Sequence, residues 1–297
     1  MESHPVPIVV LSARLQASET QRSFKAMEAG ALAVVSMPPK PGVPGHESGV
    51  AELLETILLM SEVKVVRRWS KSAFGDSCPE KPSASHNFSV TSYHLAESRQ
   101  TATPPPAIRN NYQIVVIGAS TGGPLALKIL LQNLRPAFPL PILIVQHMAF
   151  GFTAGFASWL GEDLGQTVRL AEEGMDLQPG RVLVAPEGVH MEVGRDFRIH
   201  LHPRLPGDTM APSVSRTFKS VNQIFGPTAI AILLTGMGKD GADEMLRLKT
   251  ARALTFAQDE PSSVVHGMPG EAIRLGGIDL VLPPASIAEV LERTVRK

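Results

Sequence analysis

Residues Ile114–Pro124 read IVVIGASTGGP, and the fold of the chain turns on how this stretch is read. Ile114–Ile117 is a run of branched apolar residues, the mark of a strand buried on both faces of a parallel sheet. The run breaks at Gly118 and passes through Ala119-Ser120-Thr121-Gly122-Gly123. It then meets Pro124, ahead of the apolar, helix-forming Leu125–Leu131. Proline is tolerated in a first helical turn, where its missing N–H has no intrahelical partner to lose. Ser120 is therefore expected on a tight strand-to-helix turn at the carboxyl edge of a sheet, where open α/β sheets place their ligands. A helix N-terminus there stabilises developing negative charge, which suits a nucleophile.

The same alternation continues outward from this turn. Strands are expected at Ile142–Val145, Val168–Leu170, Val182–Ala185, Ala229–Leu234, Leu254–Ala257 and Ile278–Leu282. Helices are expected at Thr153–Leu164 (with Thr153 as N-cap), Ser213–Ile224, Ala242–Lys249, Glu271–Leu275 and Ala285–Val295. Residues 189–201 alternate as a hairpin around Gly194–Asp196. Alternating strand and helix argue for a doubly wound, mainly parallel sheet of the α/β class, with helices on both faces.

Upstream, the chain changes character twice. Residues 1–66 read as a small α/β segment. It has a strand at Pro7–Leu11, a helix at Ser18–Ala29 stopping at Gly30, a strand at Ala31–Val35 and a helix at Gly49–Val66. Two strands and two helices make a thin core, so weak packing, an open sheet edge and an exposed apolar face are expected. Residues 67–109 are rich in Ser, Thr, Pro and charge without a sustained period, and read as a flexible linker stiffened near Pro104–Pro106. His86 and His94 in this linker lack ligand-like spacing.

Composition narrows the function classes. The 297 residues carry 28 Lys+Arg against 28 Asp+Glu, so zero net charge gives no support for a nucleic-acid surface. No apolar run is as long as a membrane span, and the start, MESHPVPIVVLSARLQ, lacks the pattern of a signal peptide. The single cysteine, Cys78, has no internal disulfide partner. These features lead to the expectation of a cytoplasmic protein without membrane insertion.

Three of the apolar strands end in polar, glycine-flanked clusters, at Ser120, His147 and Asp240. Carboxyl ends of parallel strands share one edge, so the three can meet. A serine needs an imidazole to take its proton, and the imidazole needs a carboxylate to hold its tautomer. The order Ser, His, Asp differs from the Ser, Asp, His of α/β-hydrolases, although Gly118–Gly122 fits their Gly-x-Ser-x-Gly elbow. On spacing alone, His190, His200, His202 and His266 rival His147. Asp240 could instead cap the helix at Ala242–Lys249, and the Gly122-Gly123 turn could cradle a phosphate. No His/Cys/Asp/Glu cluster has metal-site spacing.

Taken together, GASTGGP, ILIVQHM with GFT, LTGMGKDGA and AQDEPSSVVHGMP resemble the catalytic domain of the chemotaxis methylesterase family, CheB, across residues 112–295. The upstream PIVVLSA and EAGALAVVSMPP resemble the second half of a flavodoxin-like response-regulator receiver domain. Met37 stands there at the position of the usual lysine, and the phospho-acceptor half has no counterpart. The resemblance implies a truncated receiver segment (1–66), a linker (67–109) and a catalytic domain (110–297). It implies Ser120 as nucleophile, His147 as base, Asp240 as orienting carboxylate, Thr121 as a residue beside the nucleophile, and Met237 as a backbone oxyanion donor. The substrate it implies is a γ-glutamyl methyl ester on a methyl-accepting chemotaxis receptor within a chemosensory histidine kinase complex. Receptor glutamine deamidation is the related activity. It implies no cofactor, no metal and no phospho-acceptor. The chain departs from the family pattern at Met210-Ala211-Pro212-Ser213, where His/Arg residues are expected before Pro-Ser. Two other classes of function stay open beside this one: a non-catalytic receptor-binding module and a nucleotide-binding α/β protein.

Overall fold

The computed structural model describes residues 6–12, 17–63, 111–164 and 167–295. The linker expected at 67–109, with Cys78, His86 and His94, lies outside the described residues. The first segment holds β1 (Val9–Ser12), α1 (Ala17–Glu28), β2 (Ala33–Ser36) and α2 (His46–Glu62). Strands β1 and β2 pair in parallel as a sheet of their own.

The main body starts with β3 (Ile114–Ala119), α3 (Gly123–Gln132), β4 (Ile142–Gln146), α4 (Thr153–Leu164), β5 (Thr167–Leu170) and β6 (Arg181–Val184). An antiparallel hairpin follows, β7 (Val189–Val193) with β8 (Ile199–Pro203). Then come α5 (Val214–Phe225), β9 (Ala229–Leu233), α6 (Ala242–Thr250), β10 (Leu254–Gln258), α7 (Met268–Arg274), β11 (Leu280–Leu282) and α8 (Pro284–Thr294). Seven of these strands form one sheet in the order β11-β10-β9-β3-β4-β6-β5, and every pairing is parallel.

The apolar runs behave as their composition demands. Every residue of β3, β4, β9 and β10 is buried, because both sheet faces are covered. Val115, Ile117, Ile144 and Ile232 pack with Leu127 and Leu130 of α3, Phe156 and Leu160 of α4, and Ile287 and Leu291 of α8. Val116, Leu143, Val145 and Leu233 face the other way, onto Phe218 and Val221 of α5, Met245 and Leu248 of α6, and Met191 of the hairpin. Chain direction along the sheet reverses at β3, which lies between β4 and β9. That switch point is where the carboxyl-end crevice of an open α/β sheet takes ligands. Among the described residues no helix is long and apolar enough to cross a membrane.

Three local expectations need correction. Helix α7 begins at Met268, three residues before the expected Glu271, with Pro269 in its first turn. Thr153 opens α4 rather than capping it. Its N–H (3.3 Å) and its hydroxyl both donate to the carboxylate of Glu187, which closes the helix end from a distant loop. The first segment also packs more firmly than its size suggests. Phe24 and Met27 of α1 are 2% and 3% exposed, inside the same core as α3 and α4. The Phe24 ring stacks on Trp159 at 5.0 Å, and Glu28 pairs with Lys128 and accepts from the Trp159 indole at 3.2 Å. The small segment borrows apolar surface from its neighbour, which sequence within the segment does not reveal. The expected apolar face is present: Ile8, Leu11, Leu54, Ile57 and Leu58 are exposed.

Candidate active site

The sheet itself brings the candidate residues together. Ser120 directly follows β3, His147 directly follows β4, and Asp240 lies in the turn between β9 and α6. β3 is hydrogen-bonded to both of the other strands. Ala119 is paired with Gln146, and the His147 N–H donates to the Ala119 carbonyl at 2.9 Å. On the other side Leu234 N–H donates to the Gly118 carbonyl at 2.9 Å, so β3 and β9 run side by side up to the turn at Ser120.

The Ser120 peptide is pinned on all sides. Its N–H donates to the Thr235 carbonyl at 3.0 Å, and its carbonyl accepts from Gly123 N–H at 2.8 Å. The Thr235 hydroxyl donates to the carbonyl of Thr121 at 2.9 Å and accepts from Val265 N–H at 3.0 Å. Thr235 N–H in turn donates to the Gln258 side chain at 2.8 Å. Gln146 reaches the same turn from β4, donating from Nε2 to the carbonyls of Ser120 (2.8 Å) and His147 (2.7 Å).

His147 is buried, and its Nε2 lies 3.0 Å from Asp240 Oδ2. The contact is close but bent, since neither ring nitrogen makes a well-directed hydrogen bond, and Nδ1 has no partner among the described residues. Hydrogen bonds of acid–base pairs commonly tighten only when substrate binds.

Asp240 is held by the start of α5, not of α6. Its Oδ2 accepts Val214 N–H at 2.7 Å, and its Oδ1 accepts Ser215 N–H at 2.9 Å and the Ser213 hydroxyl at 3.2 Å. Helix α6 is instead preceded by Gly241, with no side-chain cap. Two glycines leave space for this arrangement. A Cβ on Gly118 would lie 2.4 Å from Val214, and one on Gly241, which has φ +90°, would lie 2.5 Å from it. Burial pushes the Asp240 carboxyl up. The His147 imidazole and the Ser215 hydrogen bonds outweigh burial and hold it well below the usual carboxylate range.

The rival histidines sit elsewhere. His190 on β7 is buried, with Nε2 2.9 Å from Asp208 Oδ2. His200 lies between Glu173 and Asp196, at 2.9 and 3.0 Å, and His202 lies 3.7 Å from Glu192. His266 is bridged to Gly236, with its Nδ1 3.3 Å from the Ser263 hydroxyl. None of the four meets a carboxylate at the end of β3 or β4. Met237 is 37% exposed in the loop after β9, and among the described residues its N–H makes no main-chain hydrogen bond. Among the described residues no group of three or more His, Cys, Asp and Glu side chains could hold a metal ion. Gln146, Thr235, Ser213 and Ser215 were not singled out from the sequence. The available signal for the first two is a polar residue ending an otherwise apolar strand run, in ILIVQ and AILLT.

The chain matches known proteins over both the site and its surroundings. The model of the CheB methylesterase family matches residues 115–291. A protein-glutamate methylesterase/protein-glutamine glutaminase from Geobacter metallireducens is 44% identical over 292 residues, covering 98% of this chain and 78% of that protein. A protein of the same description from Nitrosospira multiformis is 44% identical over 295 residues, covering 99% and 78%. The crystal structure of the Thermotoga maritima CheB methylesterase catalytic domain superposes with a TM-score of 0.59 at 37% identity, over 61% of this chain and 98% of that one. Built on this sheet and sharing these sequences, the chain belongs to the CheB methylesterase family.

Proposed function

We propose that this protein-glutamate methylesterase hydrolyses the γ-glutamyl methyl ester of a chemoreceptor helix through an acyl-enzyme on Ser120. The relatives' names also specify protein-glutamine glutaminase, and the same site suits both reactions. The observation that carries the reading is that Ser120 and His147 follow the adjacent strands β3 and β4 and Asp240 lies in the turn after the neighbouring β9, with His147 facing Asp240 through Nε2 and its Nδ1 without a hydrogen-bond partner among the described residues.

In this reading Ser120 Oγ attacks the ester carbonyl while His147 Nδ1 takes its proton. The Met237 N–H, with the turn at Thr121, stabilises the oxyanion. The imidazolium is stabilised by Asp240, which stays ionised at neutral pH because its own value is depressed. The proton then passes to the departing methoxide, methanol leaves, and water attacks the acyl-enzyme to give glutamate and free serine. With a glutamine side chain ammonia leaves instead. No step draws on a cofactor or metal.

The chain is read as a receiver-like segment at 1–66, a linker at 67–109 and the catalytic domain at 110–297. It is proposed to work in the cytoplasm, beside a chemosensory histidine kinase complex. Family membership supports this over the nucleotide-binding and non-catalytic readings. The test is methanol release from a methylated receptor fragment, with native chain and with Ser120→Ala. Release by the native chain alone supports the reading; release by neither, from a folded protein, removes it.

A further inference from the structure

Gln146 is the one polar residue of β4 and is 2% exposed. Both hydrogens of its amide are used, one on the Ser120 carbonyl at 2.8 Å and one on the His147 carbonyl at 2.7 Å. Two acceptors fix the orientation of the amide, because the flipped form would set Oε1 against two carbonyl oxygens. Oε1 itself is buried without a donor, packed so closely on Gly123 that a Cβ there would lie 2.1 Å away. An orphaned buried acceptor is costly, and an apolar side chain of the same shape would avoid it. The role of the position therefore lies in its two donor bonds.

Those bonds join residues that are otherwise tied only through the sheet. No hydrogen bond links the side chains of Ser120 and His147, whose Nδ1 is unpartnered. The β3–β4 ladder ends with His147 N–H on the Ala119 carbonyl. Beyond it the Gln146 amide holds the two peptides in register. We infer that Gln146 is a positioning residue that fixes the spacing between the nucleophile and its base. The inference rests on the serine mechanism proposed above and adds a residue to it.

The test compares native chain with Gln146→Leu and Gln146→Glu. It measures labelling of Ser120 by a fluorophosphonate, kcat and KM for methanol release, and thermal melting. For Gln146→Leu, kcat and labelling should fall together, by roughly 10- to 100-fold, because an ångström of misplacement costs about that much, while KM stays within about twofold. In Gln146→Glu a protonated carboxyl restores one donor bond, whereas a carboxylate faces two carbonyl oxygens. Its labelling rate, relative to native, should therefore drop as pH rises, while the ratio for Gln146→Leu stays flat. Labelling within twofold of native in both variants would overturn the inference. So would a loss that vanishes well below each variant's melting temperature. If Gln146→Leu fails to fold, the pH-dependent ratio of Gln146→Glu decides alone. Normal labelling of native chain without methanol release would sink the substrate reading and leave the Gln146 comparison intact.

Discussion

The Asp240 oxygen that lies 3.0 Å from His147 Nε2 also accepts the Val214 N–H at 2.7 Å, at the first residue of α5. One carboxylate thus meets the His147 ring, the base of the proposed mechanism, and closes a helix end. Asp240→Asn keeps the shape but must turn an NH₂ group toward either the imidazole or a backbone N–H that needs an acceptor. Both functions should suffer. Turnover is expected to fall on the order of 10⁴-fold, and stability by about 1–3 kcal/mol from the unmet donor. Methanol release and denaturant melting measured on the same preparation check this. Unchanged melting would show that the α5 contacts are dispensable.

Ser120→Ala should separate the two effects. Among the described residues the Ser120 hydroxyl makes no hydrogen bond; the bonds that hold the turn run through its main chain. Stability should stay within about 0.5 kcal/mol of native, while turnover falls by several orders of magnitude. Near-native methanol release from a folded variant would rule out the serine route.

Gly236 lies against Ser120. A Cβ there would stand 2.7 Å from Ser120 Cβ and 2.5 Å from Met268 Sδ. Gly236→Ala is expected to push the serine off its position. It should lower turnover by about 10²-fold and stability by about 1–3 kcal/mol. Fluorophosphonate labelling measured against melting separates displacement of Ser120 from general loosening. Native labelling would show that the methionine yields instead.

Phe24→Ala tests the docking of α1. The ring is 2% exposed and packs on Trp159 and Phe156, at 5.0 and 5.7 Å. Truncating a buried aromatic of this kind costs about 3–5 kcal/mol. Faster proteolysis of the first segment and a red-shifted Trp159 emission are expected, with the catalytic body still folded. Unchanged emission would mean that α1 does not rest on this surface in solution.

His200 should make one corner of the hairpin sensitive to alkali. Its ring is raised above the ordinary histidine value, first by the Asp196 hydrogen bond and, against some burial, by Glu173. Leu201 N–H leads in lowering Glu173, and His200 leads in lowering Asp196. A raised imidazole stabilises fully below the unfolded histidine value and loses that contribution as pH climbs through the folded one. The depressed carboxylates set the acid limit, where their contribution fades as pH falls through their lowered values. Amide exchange, corrected for its intrinsic pH dependence, should quicken around Gly174 and Gly194 as pH rises through the folded imidazole value. His200→Gln should remove that dependence. Identical pH profiles for native and variant would dismiss the clamp.

Much of this protein is decided along the chain. Fully apolar runs such as ILIV and AIAIL suit only strands covered on both faces, and their spacing by helical segments imposes a parallel sheet. The end of each such strand is then a site position, which is why Ser120, His147 and Asp240 stand out before any coordinate is known. Residues whose partners are distant in sequence are different. Asp240 sits two residues ahead of α6, yet it binds the start of α5, because Gly118 and Gly241 let Val214 approach the sheet. Spacing alone leaves His147 and His190 as rivals; both have a carboxylate neighbour, and the fold shows that of the two it is His147 that follows the strand beside β3. Glu187 closes α4 from 34 residues away, and Phe24 finds Trp159 still farther along the chain. The reason is physical: a periodic pattern encodes which face of an element is apolar. A directed polar contact depends on where a second element lies, and that is decided only when the layers pack.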